Sequence, residues 1–231
     1  MTAPIERVRL ILKTDSILGC LPDGVLDECL KRARITRFGK GEAIYRRGEP
    51  GDSLMIVLSG RIKISNITGE AREVVLNFLG EGDLNGELAA LDGKGRSADA
   101  TALETTEVAV LYRRDLIPIL ERHPQALMSV VAVLCEKLRM TSAMVEHGLL
   151  QMAGKAAGGL LRLAKLHGRQ TRDGLLIDIK LSQKDLGGYL GMSRENTSRE
   201  LARLRDEGLI RMDGSRILIL DMDGLCEIAG D

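Results

Sequence analysis

PQALMSVVAVLCEKLRMTSAMVEHGLLQ, residues 124–151, is the stretch on which the fold turns. Leu127, Val131, Leu134, Leu138, Thr141 and Val145 recur in steps of four and three, the a/d spacing of a helix that seeks a partner helix. Pro124 suits the first helical turn, where its missing N–H removes no bond. Glu136, Lys137, Arg139 and Glu146 make the stretch too polar to span a bilayer. One amphipathic core helix would show the same period. Thr141 and Ser142 sharpen the reading, because two hydroxyls in an apolar seam need hydrogen bonds. A helix pairing with its own copy could offer them to a ligand held at the dimer seam.

Around this stretch, the 231 residues leave room for two domains, each with its own core. Aromatics are few and Trp is absent, so the core must be aliphatic. Formal net charge is zero, so nucleic-acid binding must come from a local patch. No segment has the layout of a signal peptide and no run is long enough to cross a membrane, which points to a cytoplasmic protein. Cys20, Cys29, Cys135 and Cys226 are scattered, without the close spacing of metal or iron–sulfur ligands, and read as reduced thiols.

Before the seam, residues 2–33 read as short helices that cap the next segment. From Ala33 to Tyr112 short apolar runs alternate with turn signals: Glu42–Tyr45, Leu54–Leu58, Arg61–Ile67, Val74–Leu79 and Val108–Leu111. Many short strands at this spacing predict a small barrel or roll, with the seam helix directly after it. Beyond Gly148 a helix is expected over Ala153 to His167, a loop over Gly168–Gly174 and a strand over Leu175–Ile179. Next, Ser182 is an N-cap, Gly191 a helix stop and Ser193 a second N-cap, around Leu186, Leu190, Met192, Leu201 and Leu204. That is a helix-turn-helix. Asp213–Gly214 between apolar runs predicts a β-wing.

Two clusters carry chemistry. Gly86–Glu87–Leu88–Ala89, a Gly-rich loop, then Arg96–Ser97 combine close backbone approach with a planar guanidinium fork for phosphate oxygens. Ser97 adds a donor, and Glu87 can accept from a sugar hydroxyl. As bare spacing this is equally a surface loop with an Arg–Glu pair. In the second cluster, Arg194, Glu195, Ser198 and Arg199 fall in the first turns of the second helix, largely on one face. Arg grips guanine O6/N7 and Glu accepts from cytosine N4. Ser182, Lys184, Thr197, Arg203, Lys180 and Arg216 are candidate backbone contacts. Lys155 to Arg216 holds thirteen Lys/Arg against eight Asp/Glu, an excess that favours phosphate contact and salt-sensitive binding.

The order Gly48-x-x-Gly51–Asp52, Gly60, Gly82–Asp83-x-x-Gly86–Glu87–Leu88–Ala89 and Arg96–Ser97 resembles the phosphate cassette of cyclic-nucleotide-binding domains. With a dimer helix and a helix-turn-helix behind it, nearly the whole chain resembles the cyclic-AMP receptor protein / fumarate–nitrate reduction regulator (CRP/FNR) family, closest to its cyclic-AMP receptor branch. The resemblance implies an α+β fold. An N-terminal cyclic-nucleotide-binding, jelly-roll-like β-roll would occupy 1–123, a dimerisation helix and hinge 124–151, and a winged helix-turn-helix 152–231.

It also implies site roles. Gly86 and Glu87 would meet the ribose, with Leu88 beside them, and Arg96 and Ser97 the cyclic phosphate. Thr141 would contact the base in its own subunit, and Ser142 would reach the other subunit's ligand. Cyclic AMP is the implied ligand, as an allosteric effector without a metal. The loop Ala90–Gly95 is shorter than in the enteric branch, which leaves the nucleotide more open, and cyclic GMP is the nearest competitor, since a hydroxyl after Arg96 and Thr141 could also meet a guanine. Arg194 and Glu195 match the pattern that reads TGTGA-like half-sites. Glu195 with Ser198 and Arg199 matches the pattern for TTGAT-like ones. The implied partners are double-stranded DNA, a second copy of the chain and RNA polymerase, the last through the loop His167–Gly174. The hinge is expected at His147–Leu150. Redox sensing through the cysteines, ligand-independent DNA binding and cyclic-nucleotide turnover are the rivals. The last is disfavoured because His123, His147 and His167 stand far apart, with no carboxylate motif beside them.

Overall fold

The computed structural model of the chain describes residues 8–12, 16–68, 73–148 and 152–230. It divides into two compact units, one of Met1–Ala71 with Leu76–Arg139, the other of Arg72–Val75 with Met140–Asp231. Residues 124–139 of the seam helix fall in the first unit and the rest of it in the second.

Among the described residues before the seam helix, helix α1 (Asp23–Leu30) precedes eight strands: β1 (Arg34–Phe38), β2 (Ala43–Tyr45), β3 (Ser53–Ser59), β4 (Ile62–Ile67), β5 (Glu73–Leu79), β6 (Leu84–Asn85), β7 (Asp99–Ala102) and β8 (Thr106–Tyr112). They form two four-stranded sheets, ordered β1-β8-β3-β6 and β2-β7-β4-β5. The central pair β3–β8 is antiparallel, with Leu54 opposite Leu111 and Ile56 opposite Ala109. Both strands read as near-continuous apolar runs because both faces are covered. Period two then splits them. Leu54, Ile56, Leu58, Ala109 and Leu111 pack with the helices, against Leu26, Leu30, Leu116 and Leu120. Met55, Val57, Val108 and Val110 fill the roll interior with Tyr45, Ile62, Ile64 and Leu79.

The five expected strands are present, each shifted by a residue or two at most. Strands β1, β6 and β7 were not expected. Most of β1 faces solvent, β6 has two residues, and β7 is the apolar-poor DATA, so none carries a usable hydrophobic period. Two helices were also unforeseen: α2 (Glu87–Asp92) and α3 (Arg113–Arg122). The seam helix does not come directly after β8, since α3 intervenes and ends at His123.

The seam helix α4 (Pro124–Gly148) is one continuous helix. Ala126, Val130 and Val133 are buried in the helical layer, and Leu134 packs partly against it. A second stripe stays in solvent: Leu127 at 39%, Met128 at 66%, Val131 at 49% and Leu138 at 68% exposure. Cys135 is exposed beside them. Leu134 leaves the expected seam because it lies one turn after Val130, on the buried face. The exposed stripe runs 128, 131, 135, 138, again in heptad steps. The side chains of Thr141, Ser142 and Val145 lie outside the described ones, as do residues 149 and 150 of the expected hinge.

In the second unit α5 (Met152–His167) packs through a small-residue face, Gly154, Ala156, Ala157, Gly158 and Gly159. A Cβ on Gly159 would collide with the side chain of Leu190, so glycine lets the helices come close. Strands β9 (Gly168–Gln170) and β10 (Leu175–Ile177) come next. The first replaces part of the expected loop. All three of its residues are exposed, so no apolar alternation announced it. Helices α6 (Gln183–Leu190) and α7 (Arg194–Asp206) form the helix-turn-helix. The wing is β11 (Ile210–Asp213) paired with β12 (Arg216–Ile219), closed by Gly214 at φ 62°. The four strands order as β11-β12-β10-β9, and α8 (Met222–Ala229) ends the unit.

Candidate nucleotide site and nucleic-acid interface

The cassette is tied down at both ends. The Gly48 N–H donates to the Arg96 carbonyl at 2.9 Å, and the Arg96 N–H donates to the Glu49 carbonyl at 2.8 Å. A Cβ on Gly51 would collide with Ala89, so the turn before β3 lies directly on α2. Gly86 has φ 84°, a left-handed conformation that starts α2 without the steric penalty of a side chain. Arg113 reaches back from α3 to the carbonyls of Ala90 and Leu91, satisfying the C-terminal end of α2.

Arg96 is 5% exposed, and its guanidinium sits inside this frame. Nη1 donates to the Ser53 carbonyl at 2.6 Å and to the Gly86 carbonyl at 3.2 Å, while Nη2 donates to Ser53 Oγ at 2.9 Å. Nε is buried without a hydrogen-bond partner. The Tyr45 ring lies under the guanidinium, 4.3 Å from Cζ to the ring centroid. The Asn85 amide donates to the Tyr45 hydroxyl. Burial pushes the Tyr45 phenol up to about 12, with Arg96 opposing the rise. Of the expected ligand residues, Glu87 is also buried, whereas Leu88 and Ser97 are exposed. The structure thus brings Gly86, Glu87 and Arg96 together. Ser53, Tyr45 and Asn85 were missed. Tyr45 stands 51 positions before Arg96 in a three-residue strand, and no local pattern links the two.

The helix-turn-helix is set by its caps. Ser182 Oγ accepts from the Asp185 N–H at 3.1 Å, and Ser193 Oγ accepts from the Asn196 N–H at 3.2 Å. A Cβ on Gly187 would stand 3.0 Å from Thr197 Oγ1, so the two helices meet where only glycine fits easily. Arg194, Glu195, Ser198 and Arg199 line one open depression with Gln183 and Ala202, neither of which was expected there. All four are exposed. The Glu195 carboxyl is held below the usual carboxylate range, first by its own backbone N–H, then by the Ser193 hydroxyl, with Arg194 adding to the effect. It is therefore an anion, suited to accept hydrogen bonds.

One expected backbone contact is corrected. Thr197 has 0% exposure and donates its hydroxyl to the Ser193 carbonyl at 2.9 Å, so it belongs to the helix-turn-helix core. Arg203 is held by Glu200 at 3.1 Å and Glu207 at 2.8 Å. Ser182 and Lys184 are exposed, as is Lys180, while Arg216 pairs with Asp178 at 3.2 Å. Among the described residues no three His, Cys, Asp or Glu side chains group as metal ligands, and no helix is long and apolar enough to cross a membrane.

A β-roll with a buried arginine at its cassette and a capped winged helix-turn-helix together define a ligand-binding DNA regulator. Comparison with known proteins agrees. The cyclic nucleotide-binding domain matches residues 35–123, and the Crp-like helix-turn-helix domain matches residues 154–228. The cyclic AMP receptor protein of Thermus thermophilus is 31% identical over 214 residues, 91% of this chain and 94% of its own. A CRP-like cAMP-activated global transcriptional regulator of Mycobacterium tuberculosis is 30% identical over 200 residues, 86% of this chain and 89% of its own. A solved transcriptional regulator of the CRP family from Thermus thermophilus superposes with TM-score 0.68 at 29% identity, covering 85% of this chain and 97% of that one. The chain belongs to the CRP/FNR family of transcription factors. It is a DNA-binding regulator with a cyclic-nucleotide-binding domain, and its relatives are transcription regulators rather than enzymes.

Proposed function

We propose that the chain is a cyclic-AMP-responsive homodimeric regulator. The observation that carries this is Arg96: a buried cation in the cassette whose Nε has no hydrogen-bond partner. A buried donor left unmade is costly, and a cyclic phosphate would satisfy it. The relative named above as cAMP-activated and the one named a cyclic AMP receptor protein support the choice of nucleotide. Cyclic GMP is the alternative. The dimer forms on the exposed stripe of Leu127, Met128, Val131 and Leu138, whose burial would contribute about 1.5–3 kcal/mol per large side chain. Thr141 and Ser142 come later on the same helix, where ligand can touch both copies.

Paired recognition helices then enter successive major grooves, roughly 34–36 Å apart, on a pseudo-palindrome. Arg194 and Glu195, with Ser198 and Arg199, read the GA step shared by TGTGA-like and TTGAT-like half-sites. Ser182 and Lys184 touch phosphates, and the turn after Gly168–Gln170 faces RNA polymerase. Ligand shifts the population toward the DNA-competent state, by no more than its difference in affinity between the two states. Titration calorimetry with cyclic AMP and cyclic GMP tests the assignment. Saturable heat with cyclic AMP, and weaker binding of cyclic GMP, is the expected result. No heat with either nucleotide sinks the ligand assignment while leaving the DNA reader standing.

A further inference from the structure

Arg96 has five N–H groups, and the structure shows which remain. Both hydrogens of Nη1 are directed to carbonyls, those of Ser53 and Gly86. Nη2 makes one bond, to Ser53 Oγ. Ser53 therefore holds the Nη1–Nη2 end of the plane through two acceptors of one residue. The second hydrogen of Nη2 and the whole of Nε lie on the adjacent edge, and Nε is buried without a partner. That edge has the side-by-side geometry that meets two phosphate oxygens.

One face of the plane is covered as well. Tyr45, 8% exposed, lies 4.3 Å from Cζ, and its hydroxyl is held by Asn85, the residue immediately before Gly86. Ring and hydroxyl thus connect three elements, β2, the end of β6 and the cassette arginine. A guanidinium is planar and rotates easily about its stem. With Ser53 at one end and Tyr45 beneath, the tilt of the plane is defined, and with it the direction of the free edge.

We propose that Tyr45 and Asn85 are positioning residues for anion recognition: Asn85 anchors the Tyr45 hydroxyl, and the Tyr45 ring sets the guanidinium so that its Nε/Nη2 edge meets the cyclic phosphate. This rests on the cyclic-nucleotide reading and adds to it that the two exocyclic phosphate oxygens, each opposite a different nitrogen of the edge, are read unequally. The two exocyclic oxygens of a cyclic phosphate are distinct, so a fixed edge must discriminate between them. A guanidinium free to tilt would not.

The test uses cyclic AMP and its Rp and Sp phosphorothioates, in which sulfur replaces one or the other exocyclic oxygen. Affinities are measured by calorimetry on the full-length protein and on Tyr45→Phe, Tyr45→Leu and Asn85→Leu. The unaltered protein is expected to prefer one diastereomer. Tyr45→Leu should lose about tenfold in cyclic-AMP affinity, the scale of a desolvated cation–π contact, and its diastereomer ratio should move toward one. Tyr45→Phe and Asn85→Leu keep the ring and should show smaller shifts in the same direction. A residue acting only on stability would change melting temperature and leave the ratio alone. An unchanged ratio in the variants that fold overturns the positioning role. If Tyr45→Leu does not fold, Tyr45→Phe and Asn85→Leu decide by the same criterion. Failure of the unaltered protein to bind any cyclic nucleotide is a separate outcome, which overturns the ligand reading and this inference with it.

Discussion

Arg96 and Arg194 carry the same charge, yet one is 5% exposed inside a roll and the other stands in solvent at the start of a helix. The surroundings differ accordingly. Arg96 is held by Ser53, Gly86 and Tyr45 from three parts of the chain. Arg194 needs only a capped helix behind it. In the cassette, the proposed ligand contact and the bonds that hold the frame use one and the same guanidinium, so a change to one disturbs the other. On α7 the proposed base contacts and stability separate, because Arg194, Glu195, Ser198 and Arg199 are exposed. Thr197 marks the border, within the same helix but wholly buried.

The contrast predicts where damage falls. Arg96→Ala should weaken cyclic-nucleotide binding by about 100-fold or more, the scale of losing two charge-assisted hydrogen bonds, and also lower the melting temperature. Calorimetry and thermal unfolding read the two effects together. An Arg96→Ala protein of full stability and full affinity would undo the contrast at its strongest point.

Next in size is the seam. Val131→Glu with Leu138→Glu places charge on the exposed stripe, forfeiting about 1.5–3 kcal/mol for each buried side chain per copy. Sedimentation should show monomer, with an unaltered circular-dichroism spectrum because neither residue is in the core. A stable dimer in this variant would locate the interface elsewhere.

On the exposed side, Glu195→Gln should cost about 1–3 kcal/mol of discrimination at one base pair and change stability by no more than about 0.5 kcal/mol. Competition binding with single-base variants of the half-site measures it. Equal loss on every sequence would mean that Glu195 contributes nothing to base reading.

The smallest effect concerns Tyr45. Its phenol is raised from 10.0 to about 12, so the folded protein keeps a proton that the unfolded chain has already lost. That contribution to stability is complete below pH 10 and declines as pH rises toward about 12. Absorbance of phenolate on alkaline titration should show Tyr45 ionising later than in the denatured protein, together with Tyr189, whose phenol burial also raises. Tyr45→Phe should remove its share of this late phase and leave that of Tyr189.

Legibility in the sequence divides along the same line. The caps Ser182 and Ser193, the stop at Gly191 and the Asp213–Gly214 wing turn are local signals, and the structure has each where local chemistry put it. Gly86, Glu87 and Arg96 come together as their motif implied. Tyr45, Ser53 and Asn85 were hidden because their relation to Arg96 exists only once the strands are folded together, not through any local spacing. Thr197 was misread because a hydroxyl on a polar helix looks exposed until the neighbouring helix is placed. Leu134 was assigned to the wrong stripe for a related reason. A heptad period does not say which of two apolar faces the protein already covers.

Coupling between the buried cassette and the exposed helix is tested most directly by fluorescence anisotropy of a labelled TGTGA-N6-TCACA duplex, titrated with protein without nucleotide and with cyclic AMP or cyclic GMP. Tight binding with cyclic AMP and weak binding without it is the expected result. Equal binding in all three conditions would contradict that coupling.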